Sequence, residues 1–270
     1  MKRKYFEKDT TKTLFNRRKI CGLQAPRLPL IITIFMSNQI TTLTFYKYDS
    51  FWDQLWAFGM MQFAHRPMKR VEGLSFYKLL GSGKENFDPR PDFSVYAVLQ
   101  VWDSEEKAVA YFNANSLSKR YEKHSSHRLT IFMKSIRAYG LWSGENPFKS
   151  SSELDDSNPY IAVITRATIK LTMLRKFWNY VPTSQKDLVD HPNLLLTAGV
   201  GERPVTQMAT FSLWDDVNAL KKFAYRGKNH KQAIQQTQAL QWYKEELFTR
   251  FQPYQIKGSW PDFEIPESLK

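Results

Sequence analysis

A chain of 270 residues with a formal charge of +13, 42% hydrophobic and 24% charged residues has the composition of a folded protein and not of a disordered one. Its one cysteine, Cys21, excludes a disulfide-stapled scaffold, and no run approaches the roughly 18 apolar residues of a membrane-spanning helix. Beyond residue 35 there is no cysteine at all, which excludes thiolate-held metal centres and cysteine nucleophiles from the body of the chain.

Residues 1–35 hold nine basic side chains against Glu7 and Asp9, more than half of the net charge. With no hydrophobic periodicity, the stretch 1–38 reads as a basic, disordered leader, or as sequence upstream of a start at Met36. A membrane-surface or nucleic-acid tail is the alternative. Residues 41–48 alternate and are rich in β-formers, predicting a strand. Ser50 is placed to cap a helix over 51–63. Strands are predicted at 74–80, ending in Gly81-Ser82-Gly83, and at 93–102, ending at Asp103, a second predicted cap. Helical pattern covers 104–132, and 135–142 reads as a closing strand before Ser143-Gly144. Past a polar linker the order recurs: strand 160–167, helix 171–180, strand 193–200, strand 205–214 ending at Asp215. Helical pattern then runs over 217–251, broken near Gly227, and a short strand at 252–256 precedes Gly258.

Three local matches fix the register of this repeat. Leu80-Gly81-Ser82-Gly83 parallels Ala198-Gly199-Val200-Gly201, Val101-Trp102-Asp103 parallels Leu213-Trp214-Asp215, and Gly140-Leu141-Trp142 parallels Gly258-Ser259-Trp260. Each half is then a β-α-β-β-α-β unit. The fold class is α+β: two ferredoxin-like units in tandem, their bare sheet faces pressed together into a fused dimeric α+β barrel. The expected boundaries are 1–38 leader, 39–148 first unit, 149–158 linker, 159–262 second unit and 263–270 tail. Space between sheets and helices would admit a cofactor.

Five histidines are candidates for chemistry. His124 and His127 are three apart, close enough to share a helix face, but no carboxylate completes a metal set. They read equally as solvated positions beside Lys123 and Arg128. His65, beside Arg66 and Pro67, suits a helix C-terminus, which favours a cationic imidazole. His191 lies in an Asp-His-Pro turn. His230 opens a helical pattern with Ala233, Ile234, Thr237 and Leu240 on its face. A neutral imidazole there can ligate haem iron, with Arg226 and Lys231 near enough to reach its propionates. A satisfied core or capping histidine is the other reading of the same spacing. Gly81-Ser82-Gly83-Lys84 lacks phosphate-loop spacing and reads as a turn at a strand end.

Longer runs carry a family resemblance. They include Leu43-Thr44-Phe45-Tyr46-Lys47-Tyr48, Phe51-Trp52-Asp53-Gln54-Leu55-Trp56-Ala57-Phe58-Gly59-Met60 and Gly73-Leu74-Ser75-Phe76-Tyr77-Lys78-Leu79-Leu80. Others are Gly140-Leu141-Trp142-Ser143-Gly144 leading to Pro147-Phe148, Trp214-Asp215-Asp216, Phe223-Ala224-Tyr225-Arg226-Gly227 with His230, and Trp242-Tyr243-Lys244-Glu245-Glu246-Leu247. Over about residues 41–260 the chain resembles the spheroidene monooxygenase family of carotenoid-oxidising enzymes. The resemblance implies a tandem α+β barrel, haem b as cofactor and dioxygen as co-substrate. It also implies oxygen insertion near C-2 of an acyclic carotenoid end, giving a hydroxyl or a ketone. It leaves His230 as the expected axial ligand, with His124, His127 and His65 as alternatives, and Arg226 and Lys231 as cofactor-binding residues. Electrons would come from a donor such as ferredoxin, whose acidic face suits a basic protein. The expected location is the cytoplasm, with peripheral contact on the inner membrane face. Two other functions fit the same fold: a non-enzymatic haem-binding barrel, and a cofactor-free monooxygenase of quinones or polyketides. Nucleic acid is not an expected partner, since the body has no repeated basic-aromatic strand motif.

Overall fold

Alternation in Ile40–Lys47 sends Leu43 and Phe45 to one face and Thr44 and Tyr46 to the other, and the resulting strand, β1, is buried on both. It belongs to a computed structural model that describes residues 38–84, 88–179, 188, 191–226 and 242–270. The other strands are β2 Leu74–Lys84, β3 Asp88–Trp102, β4 His127–Gly140, β5 Ile161–Ile169, β6 Leu194–Arg203, β7 Gln207–Trp214 and β8 Tyr243–Gly258. Every neighbouring pair is antiparallel, and the sheet closes into a barrel in the order β1-β3-β2-β6-β7-β5-β8-β4. Closure between β2 and β6 rests on two residue pairs. The interior is filled by inward residues of both halves, among them Phe45, Leu99, Ile131, Ile164, Phe211 and Phe251. Phe148 from the connecting segment and Leu269 from the last residues also pack into it.

Helices α1 Phe51–Phe63, α2 His65–Met68, α3 Glu105–Ala114 and α4 Ser116–His124 cover the outside of the first half, and α5 Val217–Arg226 lies against the second. Ser50 caps α1 as expected, its Oγ accepting the Asp53 N–H at 3.1 Å. Under these first-half helices sit Tyr46, Tyr48, Trp102, Tyr111 and Tyr121, a layer of large rings.

The pairing register repeats residue for residue. Ile40 pairs with Trp102 as Ile161 pairs with Trp214, and Thr41 pairs with Met133 as Ala162 pairs with Phe251. Leu74 faces Trp102 as Leu194 faces Trp214, and each hairpin carries a bulge at the next step, so Gly81 corresponds to Gly201 and the expected match of Gly81 with Gly199 is corrected by two residues. The two seams between halves differ sharply: β4 and β8 share eleven pairs, β2 and β6 only Gly81–Gly201 and Ser82–Val200. At the ends of β4 and β8, Gly140 and Gly258 have φ of +89° and +101°. A Cβ on either would sit 2.1 Å from the Glu246 carbonyl oxygen or 1.9 Å from that of Arg128, so only glycine fits. The reversed chain folds Trp142 and Trp260 back against the barrel core, which is the physical content of the Gly-x-Trp repeat.

Several predicted elements are corrected. The helical pattern over 104–132 ends at His124, and β4 starts at His127 instead of 135. The run Leu129-Thr130-Ile131-Phe132 pairs with both β1 and β8, and two ladders outweigh local helix preference. Of the helical pattern over 217–251, Val217–Arg226 is helix, residues 227–241 lie outside the described residues, and the last part is overturned, because Tyr243–Gly258 is the sixteen-residue β8. At 171–180 a 3-10 turn, Leu171–Met173, runs into helix over 174–179, and Tyr180 lies outside the described residues. The predicted cap Asp103 is not the cap: Ser104 occupies that position. In the second half it is Asp216, not Asp215, that accepts the N–H groups of Asn218 and Ala219.

Candidate functional site

Register equivalence sets Arg166 against Phe45, Glu202 against Ser82, Glu245 against His127 and Trp142 against Trp260. The two ends of the barrel have consequently diverged. At one end Arg166, 2% exposed, pairs with Glu245 and lies 3.5 Å from Glu202. Lys78 Nζ donates to Glu202 Oε2 at 2.7 Å, and the Trp142 indole N–H donates to Glu202 Oε1 at 2.6 Å. The backbone N–H groups of Ser143 and Gly144 donate to Glu245 at 2.9 and 2.8 Å. Burial pushes the Glu245 carboxyl up, but those two N–H groups and Arg166 outweigh it and hold it below the usual range. Two cations and two anions neutralise each other, so this end is closed by an ion-pair quartet. The sequence reading missed all four residues. The one available clue was Arg166, a charge at an inward position of the apolar strand Ile161–Ile169.

The opposite end has no such quartet and keeps a cleft of about 500 Å³, within the range of small-molecule sites. Phe45 and Trp260, with ring centroids 5.8 Å apart, form its apolar floor, while Lys47, Lys84 and Asp92 stand on its rim.

A second asymmetry lies on the outside of the sheets. Outward positions of the first half carry Tyr46, Tyr77, Leu79, Val98 and Gln100, packed under helices. Their counterparts by register are Ala167, Thr197, Gly199, Thr210 and Ser212. On this face of β5, β6 and β7 large side chains are thus replaced by small ones at Ala167, Thr197, Gly199 and Ser212, while Ile161, Leu194, Met208 and Trp214 stay large like their counterparts Ile40, Leu74, Tyr96 and Trp102. Its border is aromatic: Trp214 contacts Phe223 of α5 at 5.3 Å, and Phe248 of β8 stands alongside Thr165. Small side chains at Thr197 and Gly199, half-buried on this face, would let a flat apolar group approach the strands there, and in that respect the residues present fit a macrocycle.

The structure separates the predicted histidines. His124 ends α4 and His127 opens β4, so they share no helix face. His124 stacks on Trp56 at 4.1 Å, and its Nδ1 lies 2.7 Å from Asp53 Oδ1. Hydrogen bonds from Ser50 and His124 hold Asp53 below the ordinary carboxylate range, so it accepts the Nδ1 proton. His127 Nδ1 is 3.3 Å from Ser259 Oγ. His65 opens α2 instead of ending a helix, with Nδ1 3.1 Å from the Tyr77 hydroxyl. Partial burial, Lys69 and Lys78 lower its pKa, which corrects the expected cationic imidazole to a neutral one. His191, in the loop before β6, comes to the border of the small-residue face, 5.0 Å from Trp214 and 6.0 Å from Phe223. Its Nδ1 accepts the Asn193 N–H at 3.3 Å. His230 and Lys231 lie outside the described residues; Arg226 ends α5, its side chain likewise outside. Among the described residues no three His, Cys, Asp or Glu side chains gather to hold a metal ion.

No protein-family model matches the chain. It is 33% identical over 224 residues to the spheroidene monooxygenase of Cereibacter sphaeroides, spanning 82% of this chain and 69% of that one. To the spheroidene monooxygenase of Rhodobacter capsulatus it is 32% identical over 224 residues, 82% of this chain and 92% of the relative. Among solved structures, an aldoxime dehydratase in complex with butyraldoxime superposes with a TM-score of 0.55 at 10% identity, over 80% of this chain and 79% of that one, which is a likeness of fold.

Proposed function

The chain belongs to the spheroidene monooxygenase family and is an oxidoreductase, and from that premise we propose that it inserts oxygen near C-2 of an acyclic carotenoid end, using haem b and dioxygen. Sequence likeness to the curated relatives carries the substrate class. The cofactor half rests on one observation: on the outward face of β5–β7, Ala167, Thr197, Gly199 and Ser212 stand where the first half has Tyr46, Tyr77, Leu79 and Gln100. The repeated register, bulges included, supports reading each half as a ferredoxin-like unit.

Haem, when bound, supplies an oxidant strong enough for an unactivated C–H bond, which side chains alone lack. The chain's own residues hold and shield it. Ala167, Thr197, Gly199 and Thr210 would form its floor, and Trp214, Phe223 and Phe248 would shield its border from water. His230 is the proposed iron ligand, and Arg226 and Lys231 the proposed partners of the propionates. The +13 charge suits an acidic electron donor such as a ferredoxin. No described helix is long and apolar enough to cross a membrane. We place the protein in the cytoplasm, against the inner membrane face.

The test is expression in cells that accumulate an acyclic carotenoid, with wild type and His230→Ala compared. Wild type should purify with a Soret band and yield carotenoid carrying a new oxygen at its end, while His230→Ala should lose both. Oxygenated product without haem would move the chemistry to the cleft over Phe45 and Trp260 and make the enzyme cofactor-free. Haem without product would leave a haem-binding barrel.

A further inference from the structure

Helix α1 is apolar on its outward face as well as on the face it packs against the sheet. On a helix at the surface of a folded protein the apolar stripe faces the core and the polar stripe faces water. In α1 the outward residues are Phe51, Trp52, Leu55, Phe58 and Phe63, between 51% and 75% exposed. Their spacing puts them on one face, separated only by Gly59 and Gln62. The inward side carries Trp56, Ala57, Met60 and Met61 and, toward the helix start, the polar Asp53 and Gln54, which are tied to His124 and to the Tyr48 carbonyl. Phe93 of β3, 52% exposed, extends the strip by contacting Phe58 at 6.0 Å between ring centroids. Exposed apolar surface this continuous on a basic protein marks a docking face.

The margins identify the occupant. Exposed Arg66, Lys69 and Arg70 follow the C-terminal end of α1, and exposed Arg120 and Lys123 line its flank on α4, where Arg120 lies 6.0 Å from the Trp56 ring. The carboxylates beside them are engaged: Asp53 with Ser50 and His124, and Glu122 with Arg128. Asp49 and Asp92 are further acidic groups next to the strip, and Asp92 accepts from the Ser94 N–H and hydroxyl. A second copy of this chain would bring like-charged margins together, on molecules that each carry +13. A bilayer with anionic headgroups satisfies both features. Phenylalanine and tryptophan side chains enter the boundary between headgroups and acyl chains, and arginine and lysine pair with phosphate at its surface.

We propose that the exposed face of α1, with Phe93, is a monotopic anchor that docks on an anionic lipid bilayer, the helix lying flat in the interface. The inference stands on the strip and its cationic rim and does not rest on the cofactor reading. A bilayer-docked body would also draw a water-insoluble polyene from the phase in which it dissolves.

The test is co-flotation of the full chain with phosphatidylcholine vesicles containing about one third phosphatidylglycerol, against pure phosphatidylcholine vesicles, at low and high salt. The expected result is binding to the mixed vesicles at least tenfold tighter than to phosphatidylcholine alone, weakening as salt screens the basic rim. Phe51→Ser with Phe58→Ser should reduce that binding at least tenfold with an unchanged melting curve. Trp52→Ser, a milder exposed change, should reduce it severalfold. The proposal is overturned if the substituted chains, folded by circular dichroism, bind the mixed vesicles as wild type does. It is also overturned if wild type stays unbound, or forms a dimer that the double substitution dissolves.

Discussion

At the scale of single residues, the quartet of Arg166, Glu202, Glu245 and Lys78 shows how one end of the barrel is held shut. Removing one member of a buried ion pair leaves its partner uncompensated, a loss of about 3 kcal/mol. Glu245→Gln strips Arg166 of its carboxylate and two backbone N–H groups of their acceptor. The folded state binds the Glu245 proton less readily than the unfolded chain does, because the carboxyl is held low. Its stabilisation is therefore present above the ordinary glutamate value of about 4.3 and is lost as pH falls through the lowered folded value. Chemical denaturation of Glu245→Gln should show reduced stability at pH 7 and a flatter decline below about pH 4.3 than wild type. An acid limb identical to that of wild type would mean that Glu245 is not held as described.

At the scale of elements, the Gly-x-Trp exits of β4 and β8 make the sharpest prediction. Gly140→Ala forces a Cβ to 2.1 Å from a backbone oxygen at a φ of +89°, whereas Gly144 has the same φ and open space around its Cβ position. Gly140→Ala should destabilise the fold by about 3 kcal/mol or more, and Gly144→Ala by only about 1 kcal/mol of backbone strain. Thermal melts of the two variants check the difference, and equal losses would contradict it. These exits were legible in the sequence as matched motifs, and so were β1, α1 and its Ser50 cap. The extent of β4 and β8 was not. Lys244-Glu245-Glu246-Leu247 consists of strong helix formers, and nothing local reveals that this segment will be gripped by β4 on one side and β5 on the other. Where two ladders compete with one propensity, the long-range pairing decides.

At the scale of the whole molecule, a strand register repeated in the two halves supplies the frame, and the side chains in which the halves differ supply the candidate sites. Matched Trp-Asp and Gly-Trp pairs revealed the repeat, because a Trp under a helix and a Gly that turns the chain inward are needed in each half. The divergence was readable only in part, since it consists of side chains lost: Tyr77 became Thr197 and Leu79 became Gly199, and small residues on a strand announce nothing by themselves. Their meaning appears once the two registers are laid over each other. The same comparison explains why the cleft over Phe45 and Trp260 stays open while the end around Trp142 is filled. The most direct measurement is haem titration of the purified chain, wild type against Gly199→Leu, followed by the Soret absorbance with melting curves alongside. The account predicts saturation at one haem per chain for wild type and binding weakened at least tenfold in Gly199→Leu, which restores the first-half side chain. Equal haem binding by both proteins, or none by wild type, would contradict it.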